Sequence, residues 1–154
     1  DELRRPPDPV TDRIVAASLD SLLALAQRWR ASEQLGAGGG SGTDADGTLL
    51  RQFGRLLEAE FEHHHDAGWY ASQLHVSANH LAAVLSRMTG RSTKRLITDR
   101  IMVEAQRLLR YTDLTVQQVA QRLGFDDPLY LSRAFKAHTG ESPTLWRSSH
   151  QRVE

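Results

Sequence analysis

The chain has 154 residues, with 19 Lys and Arg set against 19 Asp and Glu, and no cysteine. That length suits one domain plus an appendage. The cysteine count excludes a disulfide framework and thiolate chemistry and fits a reducing, cytoplasmic compartment, with no signal peptide or membrane span expected. The zero net charge hides an asymmetry: residues 69–154 hold 12 Lys and Arg against 7 Asp and Glu, whereas residues 1–68 hold 7 against 12, the distribution expected when only the C-terminal part faces phosphate.

The chain opens on Asp1 rather than Met and is expected to be part of a longer protein. Asp8-Pro9 can open a helix that carries Ile14, Val15, Leu19, Leu22, Leu23, Ala26 and Trp29 on one broad face. A run from Leu35 to Gly47 is a flexible linker by composition, so residues 1–47 read as a helix and linker preceding a domain over 48–150. A second helix is predicted from about Thr48 to Asp66, with Leu49, Phe53, Leu56, Leu57 and Phe61 inward and Glu60 on the same side.

From there two similar units are predicted, over about 67–90 and 115–140. The second is the plainer. Thr115 and Gln118 make a capping box, and Val116, Val119, Ala120 and Leu123 then form one apolar face. Gly124 stands where a left-handed residue closes that helix, and Asp127-Pro128 opens the next as N-cap and first-turn proline. Two short helices joined by a tight turn are a helix-turn-helix, whose second helix can enter a DNA major groove. Tyr130 and Phe135 on that helix read as core residues, and Ser142-Pro143 opens one further element.

The chain also repeats itself. Leu81 to Ser92 aligns over Leu131 to Ser142 without gaps at an offset of 50, sharing Leu, Thr, Gly and Ser. His75 takes the turn position of Gly124, and histidine is among the few side chains that tolerate positive φ. Between the units Thr93 to Tyr111 reads as one helix, with Leu96, Ile97, Ile101, Ala105, Leu108 and Leu109 on its apolar side. Nineteen residues span roughly 28 Å at about 1.5 Å each, close to the ~34 Å between successive major-groove faces. The predicted fold is all-α: two helix-turn-helix subdomains on a long central helix, with additional N-terminal helices.

The residues Ala105, Leu108-Leu109, Val119-Ala120, Leu123-Gly124-Phe125, Asp127, Ser132-Arg133, Phe135-Lys136, Thr139-Gly140, Ser142-Pro143 and Arg147 together closely resemble the C-terminal signature of the AraC/XylS family of bacterial transcription regulators. The resemblance implies two such units joined by a long helix, double-stranded promoter or operator DNA as partner, and a sensing or dimerising domain ahead of them. RNA polymerase, a small-molecule effector bound by a domain outside this chain, and a second copy of the protein are further partners it implies. On that view residues 1–47 are the tail of the sensing region or a hinge; the plain alternative is that the N-terminal helices only complete the core.

Base-contact candidates are Asn79, His80, Ala82 and Ala83 on helix 77–89, and Pro128, Leu129, Ser132 and Arg133 on helix 128–139. Arg133 can pair bidentately with guanine, or else sit on phosphate or pair with Asp126, Asp127 or Glu141. Asn79 can read adenine or serve as a surface or capping residue; His80 reads more readily as a surface histidine. Ala82 and Ala83 stand where the repeat has Ser132 and Arg133, which implies apolar contact with thymine methyls or looser specificity in the first unit. Ser77, Arg87, Arg91, Lys94, Arg95, Thr115 and Lys136 are the phosphate candidates.

No metal or cofactor is expected. Consecutive helical residues point about 100° apart, so His63, His64 and His65 cannot share one ion on a helix, and the Gly-rich run at 36–42 lacks a following Lys-Ser/Thr. With no catalytic constellation either, the chain reads as a non-enzymatic transcription regulator. The rival reading is a helical protein-interaction module that keeps the fold without specific DNA binding.

Overall fold

The computed structural model describes residues 43–150. Within them run seven helices and no strand: α1 (Thr43–Glu60), α2 (Ala67–Gln73), α3 (Ala78–Thr89), α4 (Thr93–Tyr111), α5 (Val116–Arg122), α6 (Pro128–Thr139) and α7 (Pro143–His150). None of them is long and apolar enough to cross a membrane. The predicted helix from Asp8 to Trp29 and the glycine run at 36–42 lie outside the described residues.

Helix α4 is the strut predicted over 93–111. Ser92 caps it, accepting a hydrogen bond from the Arg95 amide. Its buried side chains include Leu96, Ile97, Ile101, Met102, Ala105, Leu108 and Leu109, an apolar stripe that both units share as core. Helices α2, α3, α5, α6 and α7 all pack on the strut.

The two units are the same device built twice. In the first, Leu74 and Val76 amides donate to the Tyr70 and Ala71 carbonyls around His75, which lies at φ 56°. In the second, Leu123 and Phe125 amides donate to Val119 and Ala120 around Gly124, at φ 74°. The second helices of the two units end alike: Gly90 and Gly140 cap α3 and α6 in the left-handed conformation. Thr89 and Thr139 hydroxyls donate to the Leu85 and Phe135 carbonyls, and accept from the Arg91 and Glu141 amides. The offset of 50 in the sequence is therefore an offset in hydrogen bonding as well.

The two turns differ in what lies over them. His75 and Gly124 are both exposed, but a Cβ on Gly124 would stand 2.3 Å from the Glu62 carbonyl oxygen. The α1–α2 loop rests directly on the second unit's turn, and His65 in that loop lies against Phe125, ring centroids 4.6 Å apart. Glycine is needed at 124 for close approach as well as for backbone sign.

Helix α1 differs from expectation at both ends. It begins at Thr43, inside the run read as linker, and ends at Glu60 rather than near Asp66. Leu49, Phe53 and Leu57 are buried at four-residue spacing and anchor it, while Leu56 is only half-buried. Acidic Asp44 and Asp46 in its first turn suit the positive end of the helix dipole. Beyond Glu60 the chain turns, and Asp66 becomes the N-cap of α2, accepting from the Trp69 amide at 2.9 Å. Arg100 of α4 clasps the end of α1, with its Nε 2.8 Å from a Glu58 oxygen and its guanidinium 3.9 Å above the Phe61 ring. The Tyr70 hydroxyl donates to the His64 carbonyl at 2.8 Å; burial, helped by Glu60, pushes its pKa up to about 12.

Helix α7 closes the second unit. Trp146 meets Phe135 edge-on, centroids 5.9 Å apart, and Arg147 reaches back to the Leu109 carbonyl at 3.3 Å and to the Leu114 carbonyl. One guanidinium thereby fastens α7 to the end of the strut and to the entry of α5.

Candidate nucleic-acid interface

Helix α3 follows Ser77, whose hydroxyl accepts from the His80 amide at 3.1 Å. Leu81, Val84 and Leu85 turn inward, so the face carrying Asn79, His80, Ala82, Ala83 and Arg87 is left to solvent. The Ser77 cap occupies its hydroxyl lone pair but leaves its proton free to donate. Arg87 is exposed yet paired with Asp46 at the start of α1. Apart from Arg87, this outward face offers one amide, one imidazole and two methyl groups.

Helix α6 has the opposite character. Asp127 accepts from the Leu129 amide at 2.8 Å, and Pro128 follows as the first helical residue. Leu131 and Phe135 are buried, which turns Leu129, Tyr130, Arg133 and Lys136 outward. Arg133 and Lys136 form no ion pair among the described residues, so the alternative pairing of Arg133 with Asp126, Asp127 or Glu141 is not found there. The Ser132 hydroxyl turns back on its own helix, donating to the Pro128 carbonyl at 2.9 Å, and half-burial keeps it behind the exposed face.

Tyr130 corrects the sequence reading. Phe135 is core as expected, but Tyr130 is 56 % exposed and tilted beside Phe125 at 5.8 Å. Its place follows from helix geometry: with Leu131 and Phe135 inward at four-residue spacing, position 130 points aside with 133. The signal lay in the repeat, where the offset of 50 pairs Tyr130 with His80, a residue already read as outward.

The phosphate candidates divide into free and tied groups. Lys94 is exposed at the start of α4. Arg91 and Arg95 converge on Asp99, at 2.9 and 2.8 Å, while retaining side-chain exposures of 37 % and 57 %. Thr115 is occupied by the predicted capping box: its hydroxyl accepts from the Gln118 amide at 3.2 Å, and the Gln118 side chain accepts from its amide at 2.8 Å. The three histidines of the α1–α2 loop part company, His64 stacking on Trp69 at 3.6 Å and His65 turning under Phe125. No group of three or more His, Asp or Glu among the described residues is placed to hold a metal.

The comparisons with known proteins agree with this architecture. The HTH-type transcriptional activator RhaR of Cronobacter sakazakii is 29% identical over 147 residues, covering 95% of this chain and 50% of that protein, so the chain spans half the length of that relative. Among solved structures, the C-terminal domain of AraT, a response regulator from Geobacillus stearothermophilus, superposes with a TM-score of 0.66 at 29% identity, over 69% of this chain and 88% of that one. The DNA-binding domain of AdpA, a global transcriptional factor solved in complex with a target DNA, superposes with a TM-score of 0.60 at 27% identity, over 66% of this chain and 90% of that one. A family profile described as a helix-turn-helix domain matches residues 70–149, which takes in the strut and both units apart from the first three residues of α2. On that match and these likenesses, the chain belongs to the AraC/XylS-type helix-turn-helix family.

Proposed function

We propose that this chain is the sequence-specific DNA-binding part of a transcription regulator, inserting α3 and α6 into adjacent major-groove segments. The observation that carries this reading is the doubled unit itself: two capped helices with outward faces, held on one strut of about 28 Å, near the ~34 Å repeat of the groove. The heads contribute unequally. Arg133 is suited to guanine O6 and N7, and Leu129 and Tyr130 to thymine methyls, so α6 carries most of the discrimination. Asn79 and His80 add a weaker preference beside the methyl groups of Ala82 and Ala83. Ser77, Lys94, Arg95, Thr115 and Lys136 supply phosphate contacts, which set affinity and register and not sequence. The chemistry is recognition without catalysis. Within the whole protein, DNA occupancy by this part would serve to recruit or block RNA polymerase, under control of segments such as an effector-binding or dimerising domain.

The test is selection of the purified chain from a random duplex library at two salt concentrations. A motif in two parts about one helical turn apart, with affinity falling steeply as salt rises, is the expected result. Information concentrated in one half, destroyed by Arg133→Ala, supports the unequal division of labour. Salt-insensitive binding with no enriched motif refutes the proposal and leaves a protein-interaction module as the reading.

A further inference from the structure

One carboxylate sits where three elements meet. Asp99, in the second turn of α4, is buried, its side chain 10 % exposed. Arg91, the residue after the Gly90 corner that ends the first reading helix, places Nη1 2.9 Å from Oδ2. Arg95, one turn earlier on the strut, places Nε 2.8 Å from Oδ1. The third neighbour comes from the other unit: His138, in the last turn of α6, holds Nδ1 3.5 Å from Oδ1, with its side chain only 11 % exposed. The exit of one reading head, the strut and the end of the other reading head thus share a single anion.

A charge in such a place is costly unless it is paired, and removing one partner leaves the rest uncompensated. Nothing in the amphipathic pattern of α4 needs an acid there, since Leu96, Ile97, Ile101 and Met102 already supply the core around it. The arrangement does bring a geometric gain. A guanidinium carries five N–H donors in a fixed plane, so engaging an edge on Asp99 orients it while its other donors stay available to a phosphate. His138 in turn packs the C-terminal end of α6 against the carboxylate that Arg91 holds from the exit of α3, its Nδ1 3.5 Å from Oδ1 as a close contact without a hydrogen bond. Burial holds the His138 pKa below the ordinary histidine value, with Asp99 opposing and Arg95 and Arg91 reinforcing that shift.

We propose that Asp99 is a positioning residue that fixes the separation of the two reading heads, clamping α6 through His138 and the exit of α3 through Arg91 while aiming Arg91 and Arg95 at the DNA backbone. The proposal rests on the DNA-reading function argued above. Its consequence is spacing discrimination. Adding one base pair between half-sites moves the second by about 3.4 Å along the axis and roughly 35° around it, which a rigid joint cannot follow and a loose one can.

The test uses the 154-residue chain and duplexes carrying both selected half-sites at the native spacing, one base pair longer and one shorter. The wild-type chain is expected to bind the native spacing roughly tenfold or more tighter than either shifted one, since a displaced head forfeits its base contacts. Asp99→Asn is expected to bring that ratio close to unity while affinity for a random duplex stays level or rises, an anion having been removed beside two arginines. A variant that merely unfolds part of the population would weaken all duplexes by one factor and leave the ratio intact. Should Asp99→Asn lose its helical circular dichroism, His138→Gln decides the matter, because it cuts only the tie to α6; the ratio is again expected to collapse, with the salt dependence unchanged. A wild-type ratio retained by a folded Asp99→Asn, or by His138→Gln where Asp99→Asn does not fold, overturns the joint but leaves DNA reading standing. A wild-type chain with no preference among selected and random duplexes overturns both.

Discussion

Replacing Gly124 by alanine separates two penalties that usually arrive together. Gly90, Gly124 and Gly140 all lie at positive φ, at 73°, 74° and 88°, so any side chain there carries the left-handed cost of about 1–2 kcal/mol. A Cβ at Gly90 would have nothing within 4 Å, whereas at Gly124 it would stand 2.3 Å from the Glu62 carbonyl oxygen and 3.3 Å from its carbon. Both atoms are backbone, so rotamer change cannot relieve the overlap; the α1–α2 loop must lift, at a cost comparable to overpacking a core, about 1–3 kcal/mol. Gly90→Ala is thus expected to destabilise by about 1–2 kcal/mol and Gly124→Ala by roughly 2–5 kcal/mol. Urea unfolding followed by circular dichroism at 222 nm, with both variants and wild type side by side, measures the difference. Equal losses would refute the close-approach argument and reduce Gly124 to a matter of backbone sign. His75→Gly offers a check from the other direction: at φ 56° it relieves the left-handed cost of about 1–2 kcal/mol against a glycine entropy cost of about 0.5–1 kcal/mol, so stability should hold or rise slightly.

Arg133→Ala is expected to lower affinity for the selected site by about 1–3 kcal/mol and to relax base preference at one position, measured by anisotropy on a panel of single-base variants. A loss of equal size on every sequence would make Arg133 a phosphate contact. Tyr130→Ala, which removes an exposed ring, should leave the urea midpoint nearly unchanged and weaken binding to the selected site; a large drop in stability would return Tyr130 to the core. The structure should also lose stability in mild acid. Burial depresses the pKa of His65, opposed by the Leu123 and Phe61 carbonyls and aided by His64, and burial depresses His138 as well. The unfolded chain therefore takes up protons first, near the ordinary value of 6.5. The stabilisation is fully present above that value and is lost as pH falls through it toward the depressed values of the folded state. Thermal melts at pH 7.5 and 5.5 should show a lower Tm at the acid pH, and His65→Gln should narrow the gap. An unchanged gap in His65→Gln would mean that the loop under Phe125 does not exclude the charged ring.

What could be read from the residues alone was whatever is settled within about one helical turn. Thr115 with Gln118, Asp127 with Pro128, the turn at Gly124 and the left-handed His75 all lay where expected. Their chemistry involves only neighbours three or four residues away, and the strut from Thr93 to Tyr111 followed from a long, consistent apolar period. The repeat at an offset of 50 then made two such units. The same logic failed where a side chain's partner is distant in sequence. Asp99 was passed over because its meaning depends on His138, and Gly124 was explained by backbone sign because nothing local reveals the Glu62 carbonyl above it. Tyr130 was assigned to the core because an aromatic ring on a short helix favours burial in general. Only the packing of Leu131 and Phe135 decided that this ring faces out. Helix α1 reaches back to Thr43 and pairs Asp46 with Arg87, a contact across 41 residues that composition had marked as linker. Local hydrogen bonding and periodicity determined the elements. The buried ion pairs, the covered turn and the outward aromatic were decided by tertiary structure, because each depends on surfaces that meet only after the helices have packed.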